Sequence, residues 1–217
     1  MAGRLIAVAN LKGGVGKTTL AVSLACALPG RILVADADSQ ASAVAWAAAG
    51  KLPVEVVALP LSDEGSKASA AWLGRLVEMK GNADFVVVDM PPNLGAVTLA
   101  ALGLADLILI PVSPSALDLK ATARTLALLR QAREVRKDGK PAALIVPSRV
   151  DRRTGAGREI EAVLHDMGEP VAPAVNQRAA HVDAFSAGQW IGAYAPRSAG
   201  HTEITTLAAL VKRIATR

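Results

Sequence analysis

Short runs of consecutive apolar residues alternate with longer stretches of helical periodicity along this chain. Residues 5–9, 31–35, 54–57, 85–89, 107–111 and 143–146 read as strands. Residues 17–28, 41–49, 69–79, 119–136, 158–167 and 202–216 read as helices, the last two closing the chain. Pro29-Gly30 stops the first helix and Gly50 the second. Strand runs that are apolar throughout, rather than alternating, belong to strands covered on both faces. Such strands separated by helices predict an α/β fold, a mostly parallel twisted sheet with helices on both faces. Ligands meet sheets of this kind at the carboxyl ends of the strands. No repeat or low-complexity linker interrupts the pattern, so residues 1–217 read as a single domain. The most loop-like stretch is 152–157.

Composition narrows this reading. Of the 217 residues 52% are hydrophobic but only 3% aromatic, so the core is aliphatic. No apolar run reaches the roughly 18 residues that a spanning helix requires. The first apolar run leads into Asn10 and Lys12, which reads as a strand entering a loop rather than a signal peptide. The single Cys26 rules out an internal disulfide and argues against a cysteine-built metal site within one chain. A cytoplasmic protein is expected. The net charge of +5 is uneven: residues 1–119 carry −2 and residues 120–217 carry +7. That asymmetry suits a face for nucleic acid or anionic membrane, or simply a solvated basic surface.

The strongest chemical signal follows the first strand. In Lys12-Gly13-Gly14-Val15-Gly16-Lys17-Thr18-Thr19 the glycines let the backbone curl so that successive N–H groups point at phosphate oxygens. The helix that begins there adds the positive end of its dipole. Lys17 reaches the β- and γ-phosphates, Thr18 offers a hydroxyl to Mg²⁺, and Thr19 donates to the α-phosphate. The spacing departs from the common G-x-x-x-x-G-K-[ST] form. Leu11 stands where the first glycine belongs, and a second lysine, Lys12, stands five residues before Lys17.

This loop resembles the deviant Walker A motif of the ParA/MinD family of ATPases. The resemblance implies a P-loop NTPase that binds ATP and Mg²⁺ and closes as an ATP-sandwich homodimer, with Lys12 reaching the partner's nucleotide. A second cation there would offset charge during transfer, as an arginine finger does. Asp36-Ala37-Asp38-Ser39-Gln40 is similar to the family's D-x-D-P-Q element, with Ser39 in place of proline. By that match Asp38 activates the attacking water and Asp36 supports Mg²⁺ through water; the residues alone allow either carboxylate to cap the next helix. Phe85-Val86-Val87-Val88-Asp89-Met90-Pro91-Pro92 resembles the Walker B strand and its D-x-P-P switch, which would put Asp89 in the Mg²⁺ shell. The implied catalytic set is Lys12, Lys17 and Asp38.

Ile110-Pro111-Val112-Ser113-Pro114-Ser115-Ala116-Leu117-Asp118 is similar to the short ParA type represented by ParF. No winged helix precedes the loop, so operator-specific autoregulation is not expected. Arg149 follows the strand at which the family holds adenine and is the candidate base contact. The resemblance implies slow, partner-stimulated ATP hydrolysis by a nucleoid-associated dimer that binds DNA without sequence preference and moves plasmid, chromosome or protein cargo. The partner would be a ParB-like or cargo-adaptor protein presenting a basic activating peptide. Candidate phosphate contacts on DNA are Arg149, Arg152, Arg153, Arg158, Arg178, Lys212 and Arg213. A MinD-like alternative would lay the last helix on membrane through Ile204, Leu207, Ala208, Val211, Ile214 and Ala215, beside Lys212, Arg213 and Arg217. Docking of that face on the core is preferred, because the residues are small and no bulky aromatic follows. A small-molecule ligase or synthase on the same fold is the remaining alternative.

Overall fold

The computed structural model describes residues 3–61, 66–92, 96–136 and 138–216. Strands β1 (Arg4–Val8), β2 (Ile32–Asp36), β3 (Glu55–Ala58), β4 (Phe85–Asp89), β5 (Leu107–Val112), β6 (Ala142–Val150) and β7 (Val175–Asn176) form one sheet in the order β3-β2-β4-β1-β5-β6-β7. Every pairing is parallel. The helices are α1 (Lys17–Ala27), α2 (Ser42–Ala47), α3 (Ser66–Gly81), α4 (Ala96–Leu104), α5 (Ala116–Arg136), α6 (Gly155–His165), α7 (Ala179–Ser186), α8 (Ile191–Tyr194) and α9 (Ala199–Ala215). The expected doubly covered parallel sheet is the fold observed.

The unbroken apolar strands follow from this layering. Along β1, Leu5 and Ala7 face a core built with Trp72, Leu76, Leu102, Leu129 and Leu164 of α3 to α6. Ile6 and Val8 face the opposite core, built with Leu20 and Leu24 of α1, Trp46 of α2, Ile191 of α8 and Leu207 of α9. Successive side chains point to opposite faces, so a strand covered twice must be apolar at every position. The last helix settles its own alternative. Ile204, Leu207, Ala208, Val211 and Ala215 are all 4% exposed or less. Each large aliphatic residue among them contributes about 2 kcal/mol by leaving water, which a move to a membrane surface would forfeit. The docked reading therefore holds; Arg217 lies outside the described residues.

Several elements escaped the periodicity. Helix α4 is apolar but for the buried Thr98 and packs between α3 and α5, so it has no polar stripe to mark it. Helices α7 and α8 lie between the two helices expected to close the chain, and are only 8 and 4 residues long. Strand β7 has two residues. The loop expected over 152–157 ends early: Gly155, Ala156 and Gly157 form the first turn of α6, and the Thr154 hydroxyl accepts the Gly157 N–H at 3.1 Å.

The amino-terminal edge of the sheet is tied by one buried carboxylate. Asp106 precedes β5, is 5% exposed, and accepts the Leu5 N–H at 2.8 Å. Lys80, Lys140 and Arg4 surround it at 2.7, 3.5 and 3.6 Å. Burial alone would raise its pKa, but the Lys80 and Leu5 hydrogen bonds and the nearby charges more than offset that, and the net shift is downward. Asp106→Asn should cost about 2 kcal/mol at neutral pH by leaving these donors poorly matched. Because the folded pKa lies below the unfolded value of about 3.9, this contribution is present above that pH and is lost as pH falls through the folded pKa. Denaturant titrations of wild type and variant should therefore differ at pH 7 and converge as pH falls through the folded pKa.

Candidate functional site

The sheet register assembles the site. Asp36 at the end of β2 stands beside Asp89 at the end of β4, and Asp89 stands beside Val8 at the end of β1. Two residues beyond Val8 the chain enters the glycine loop, which turns into α1 at Gly16. Gly14 has φ 79° and Gly16 φ 90°, left-handed values that suit glycine. A Cβ on Gly13 or Gly14 would meet nothing within 4 Å, so the loop's inner side is open. Gly16 provides no side-chain cap, which leaves the first N–H groups of α1 available to an anion. The loop borders a cavity of about 740 Å³ that runs past Asp38, Trp46 and Arg149 to Phe185 of α7.

The loop's charged groups are unusually placed. Lys17 is 8% exposed and its ammonium donates to the Lys12 carbonyl at 3.0 Å. Burial lowers its pKa, with Asp89 and Asp38 pulling the other way. Asp89 is 1% exposed, and neither carboxylate oxygen has a hydrogen-bond partner. Burial pushes its pKa up to about 7; the Thr18 hydroxyl opposes this without completing a bond of normal geometry, Asp36 and Asp38 add to the rise, and Lys17 opposes it. An orphaned buried carboxyl beside a hydroxyl and a lysine fits a site completed by a divalent cation. Among the described residues no three His, Cys, Asp or Glu side chains could hold a metal on their own. A cation there would share its shell with phosphate, as Mg²⁺ does. Lys12, by contrast with Lys17, is exposed.

Asp36 makes the capping bonds that the residues alone allow. One oxygen accepts the N–H groups of Ala43 and Val44 at 2.9 and 3.0 Å, and the other accepts that of Asp38 at 3.2 Å. These bonds hold the start of α2 and the loop carrying Asp38. Asp38 itself is half-buried on the cavity wall, and its Oδ1 accepts the Gln40 N–H at 3.0 Å.

The basic residues do not form one patch. Arg149 and Arg178 line the cavity: Arg149 donates to the Gly14 carbonyl at 2.6 Å, and Arg178 pairs with Glu203 at 2.6 Å. Arg152, Arg153 and Arg158 cluster where β6 passes into α6, with Glu161 and Asp151 partly neutralising them. Lys212 and Arg213 sit in the last turn of α9, about 14 Å along the helix from Glu203. Helix α9 belongs to the layer opposite α6.

Sequence reasoning missed the support beneath the loop. Asn10 is fully buried and donates to the Pro111 carbonyl at 2.8 Å and to Thr122 at 3.2 Å. Its own oxygen accepts the Lys12 N–H at 3.1 Å. Thr125 accepts the Leu11 N–H at 3.4 Å, and Thr122 donates to the Asp118 carbonyl at 2.8 Å. Asp118 is bonded in turn to Ser113. Two threonines three residues apart on the buried face of α5 were the available signal.

The CbiA family model, the CobQ/CobB/MinD/ParA nucleotide binding domain, matches residues 6–191. The chain belongs to this family. Maintenance of carboxysome distribution protein A from Halothiobacillus neapolitanus is 35% identical over 188 residues, 84% of each chain. Chromosome-partitioning ATPase Soj from Thermus thermophilus is 32% identical over 227 residues, 91% of this chain and 90% of that one. The fold is also that of a Cyanothece McdA variant in complex with ATP, at TM-score 0.77 and 18% identity over 98% of this chain and 96% of that one. Septum site-determining protein MinD from Pyrococcus horikoshii, complexed with Mg-ADP, matches at TM-score 0.77 and 21% identity over 98% and 97%. The ParA/MinD identity read from the loop is therefore established, and with it a nucleotide-binding P-loop fold.

Asn10→Ala should destabilise the protein by about 2 kcal/mol, because it strands the buried Pro111 carbonyl and removes the acceptor of the part-buried Lys12 N–H. Thr122→Val should cost about 1 kcal/mol. Denaturant unfolding of the two variants measures both.

Proposed function

We propose that this chain is an Mg²⁺-dependent positioning ATPase. Two copies close face to face on ATP, the closed dimer holds DNA without sequence preference, and partner-stimulated hydrolysis releases it, so that a cargo bound to the partner is moved or spaced. The observation that carries this reading is the pairing of a buried lysine, Lys17, with an exposed one, Lys12, on the same glycine loop. One is placed for its own protomer's phosphates and the other is free to reach outward. The carboxysome-distribution and chromosome-partitioning relatives support the positioning role.

Bound Mg²⁺ would neutralise phosphate charge, held by the Thr18 hydroxyl and the Asp89 carboxylate. The backbone N–H groups of residues 13–19 cradle the phosphates, Lys17 binds their outer oxygens, and Asp36 keeps the Asp38 loop in place. The Asp38 carboxylate makes no hydrogen bond except to Gln40 among the described residues, which leaves it able to take a proton from water at the cavity wall. Lys12 from the other protomer supplies the final positive charge, so hydrolysis waits for dimer closure. For DNA, the exposed Arg152, Arg153 and Arg158 cluster is the favoured contact, and dimerisation doubles it. The buried apolar face of α9 disfavours membrane as the docking surface. The site of action would be the nucleoid, and residues 1–217 would work as one ATPase domain.

Lys17→Ala should weaken binding of a fluorescent ATP analogue by about tenfold to a hundredfold. Asp38→Ala should bind ATP, run as a dimer on sizing, and hydrolyse it about a hundredfold more slowly. Normal turnover by Asp38→Ala would sink this assignment. With ATP, the wild-type protein should retard arbitrary duplex DNA at low salt and lose that grip as salt rises. Joint replacement of Arg152, Arg153 and Arg158 by alanine should weaken the retardation about tenfold while leaving ATP-dependent dimerisation in place. DNA that runs unshifted with the ATP-bound dimer would exclude the DNA reading.

A further inference from the structure

Arg149 has two features that nucleotide binding by itself does not require. Its φ is 53°, in the left-handed region that a long side chain rarely adopts. It also lies at a break in register: Ser148 pairs with Val175 and Val150 with Asn176, with an irregularity between them. Irregularities of this kind bend a strand and re-aim a side chain. Here the re-aimed guanidinium spans 135 residues of sequence to donate from Nη1 to the Gly14 carbonyl at 2.6 Å. The adjacent Ser148 is buried, and its hydroxyl lies 3.1 Å from the point where a Cβ on Gly16 would stand. Two consecutive residues at the end of β6 therefore press on the phosphate loop from one side.

The contact has a geometric consequence. The Gly14 carbonyl and the Val15 N–H belong to one rigid peptide plane and point in opposite directions. Fixing the carbonyl fixes the N–H. Gly14 has no Cβ and a left-handed φ, so without an external restraint this plane is among the freest in the loop.

We propose that Arg149 is a strained clasp that locks the peptide plane between Gly14 and Val15, setting the phosphate loop in its binding shape before a nucleotide arrives. It is a positioning residue, in addition to any contact it makes with the base, and its ligand class is a phosphate-bearing nucleotide. The clasp's role in binding rests on the nucleotide reading given above. The backbone distortion at Arg149 is what aims the side chain, so strain held in β6 is exchanged for order in a loop rich in glycine.

Two substitutions separate the clasp from the bend that aims it. Arg149→Met keeps the aliphatic stem and the left-handed backbone but has no donor. Arg149→Gly has no side chain and accommodates the backbone freely. In nucleotide-free protein, hydrogen exchange at the Val15 and Gly16 amides should accelerate about fivefold in both variants, the equivalent of one lost hydrogen bond. Affinity for a fluorescent non-hydrolysable ATP analogue with Mg²⁺ should fall about fivefold to tenfold in both. Arg149→Gly should melt no lower than wild type, which separates loop disorder from general instability. The proposal is overturned if Arg149→Met exchanges at the wild-type rate, or if exchange rises with no loss of affinity. If wild-type protein binds no analogue at all, the nucleotide reading fails, and the exchange measurement still decides whether the clasp exists.

Discussion

The parallel register of β1, β2 and β4 is the constraint on which the rest of the molecule depends. It places Asp36, Asp89 and Val8 in one row at the carboxyl edge. Both carboxylates are thereby held away from water, where neither would be stable without partners. The two solve that problem differently. Asp36 takes three backbone N–H groups and becomes structural. Asp89 takes none, and its carboxyl rises toward neutrality. The glycine loop and Lys17 then close over the unsatisfied member of the pair. A shift of one residue in β4 would exchange Asp89 for Val88 or Met90 and leave nothing polar to face the loop.

Beside that row the loop is braced at its entry and at its crest. Asn10 and the threonines of α5 fix its entry, and Arg149 and Ser148 press on its crest from β6. Both braces come from β5, α5 and β6 on one side of β1, while the acidic row comes from β2 and β4 on the other, which is why the site needs the whole sheet rather than one motif. The opposite edge of the sheet carries an inverse arrangement. There a single acid, Asp106, is surrounded by three bases and fully paired. A paired carboxylate ties that edge, and an unpaired one waits at the other.

Much of this was legible in the sequence, for physical reasons that differ by element. Strands β1, β4 and β5 announce themselves because burial on two faces demands uninterrupted apolar runs. The loop is legible because curling a backbone around phosphate needs glycines at fixed offsets. The support shell was not legible, since an asparagine after a strand reads as loop until its three hydrogen bonds are seen. Helix α4 hid because a helix apolar at nearly every position has no polar face to set its period. Helices α7 and α8 hid because they are too short to show one. Asp36 illustrates the limit most clearly: a carboxylate at a strand end shows itself as a cap only once the Ala43 and Val44 N–H groups are placed against it. The basic residues were identified by charge, but charge says nothing about layer, and α6 and α9 proved to lie on opposite faces.

Helix α2 has a consequence of its own. With six residues it is far below the length at which a helix persists alone in water. It is held at one end by Asp36 and at the other by Trp46, whose indole packs edge-on against Phe185 and donates to the Gln189 carbonyl. The segment that carries Asp38 is therefore suspended between two anchors, with little intrinsic order between them. Such a segment opens at a free energy well below that of global unfolding, as a small cooperative unit of its own. The wall of the cavity beside Asp38 therefore takes its order from those two anchors rather than from the helix itself.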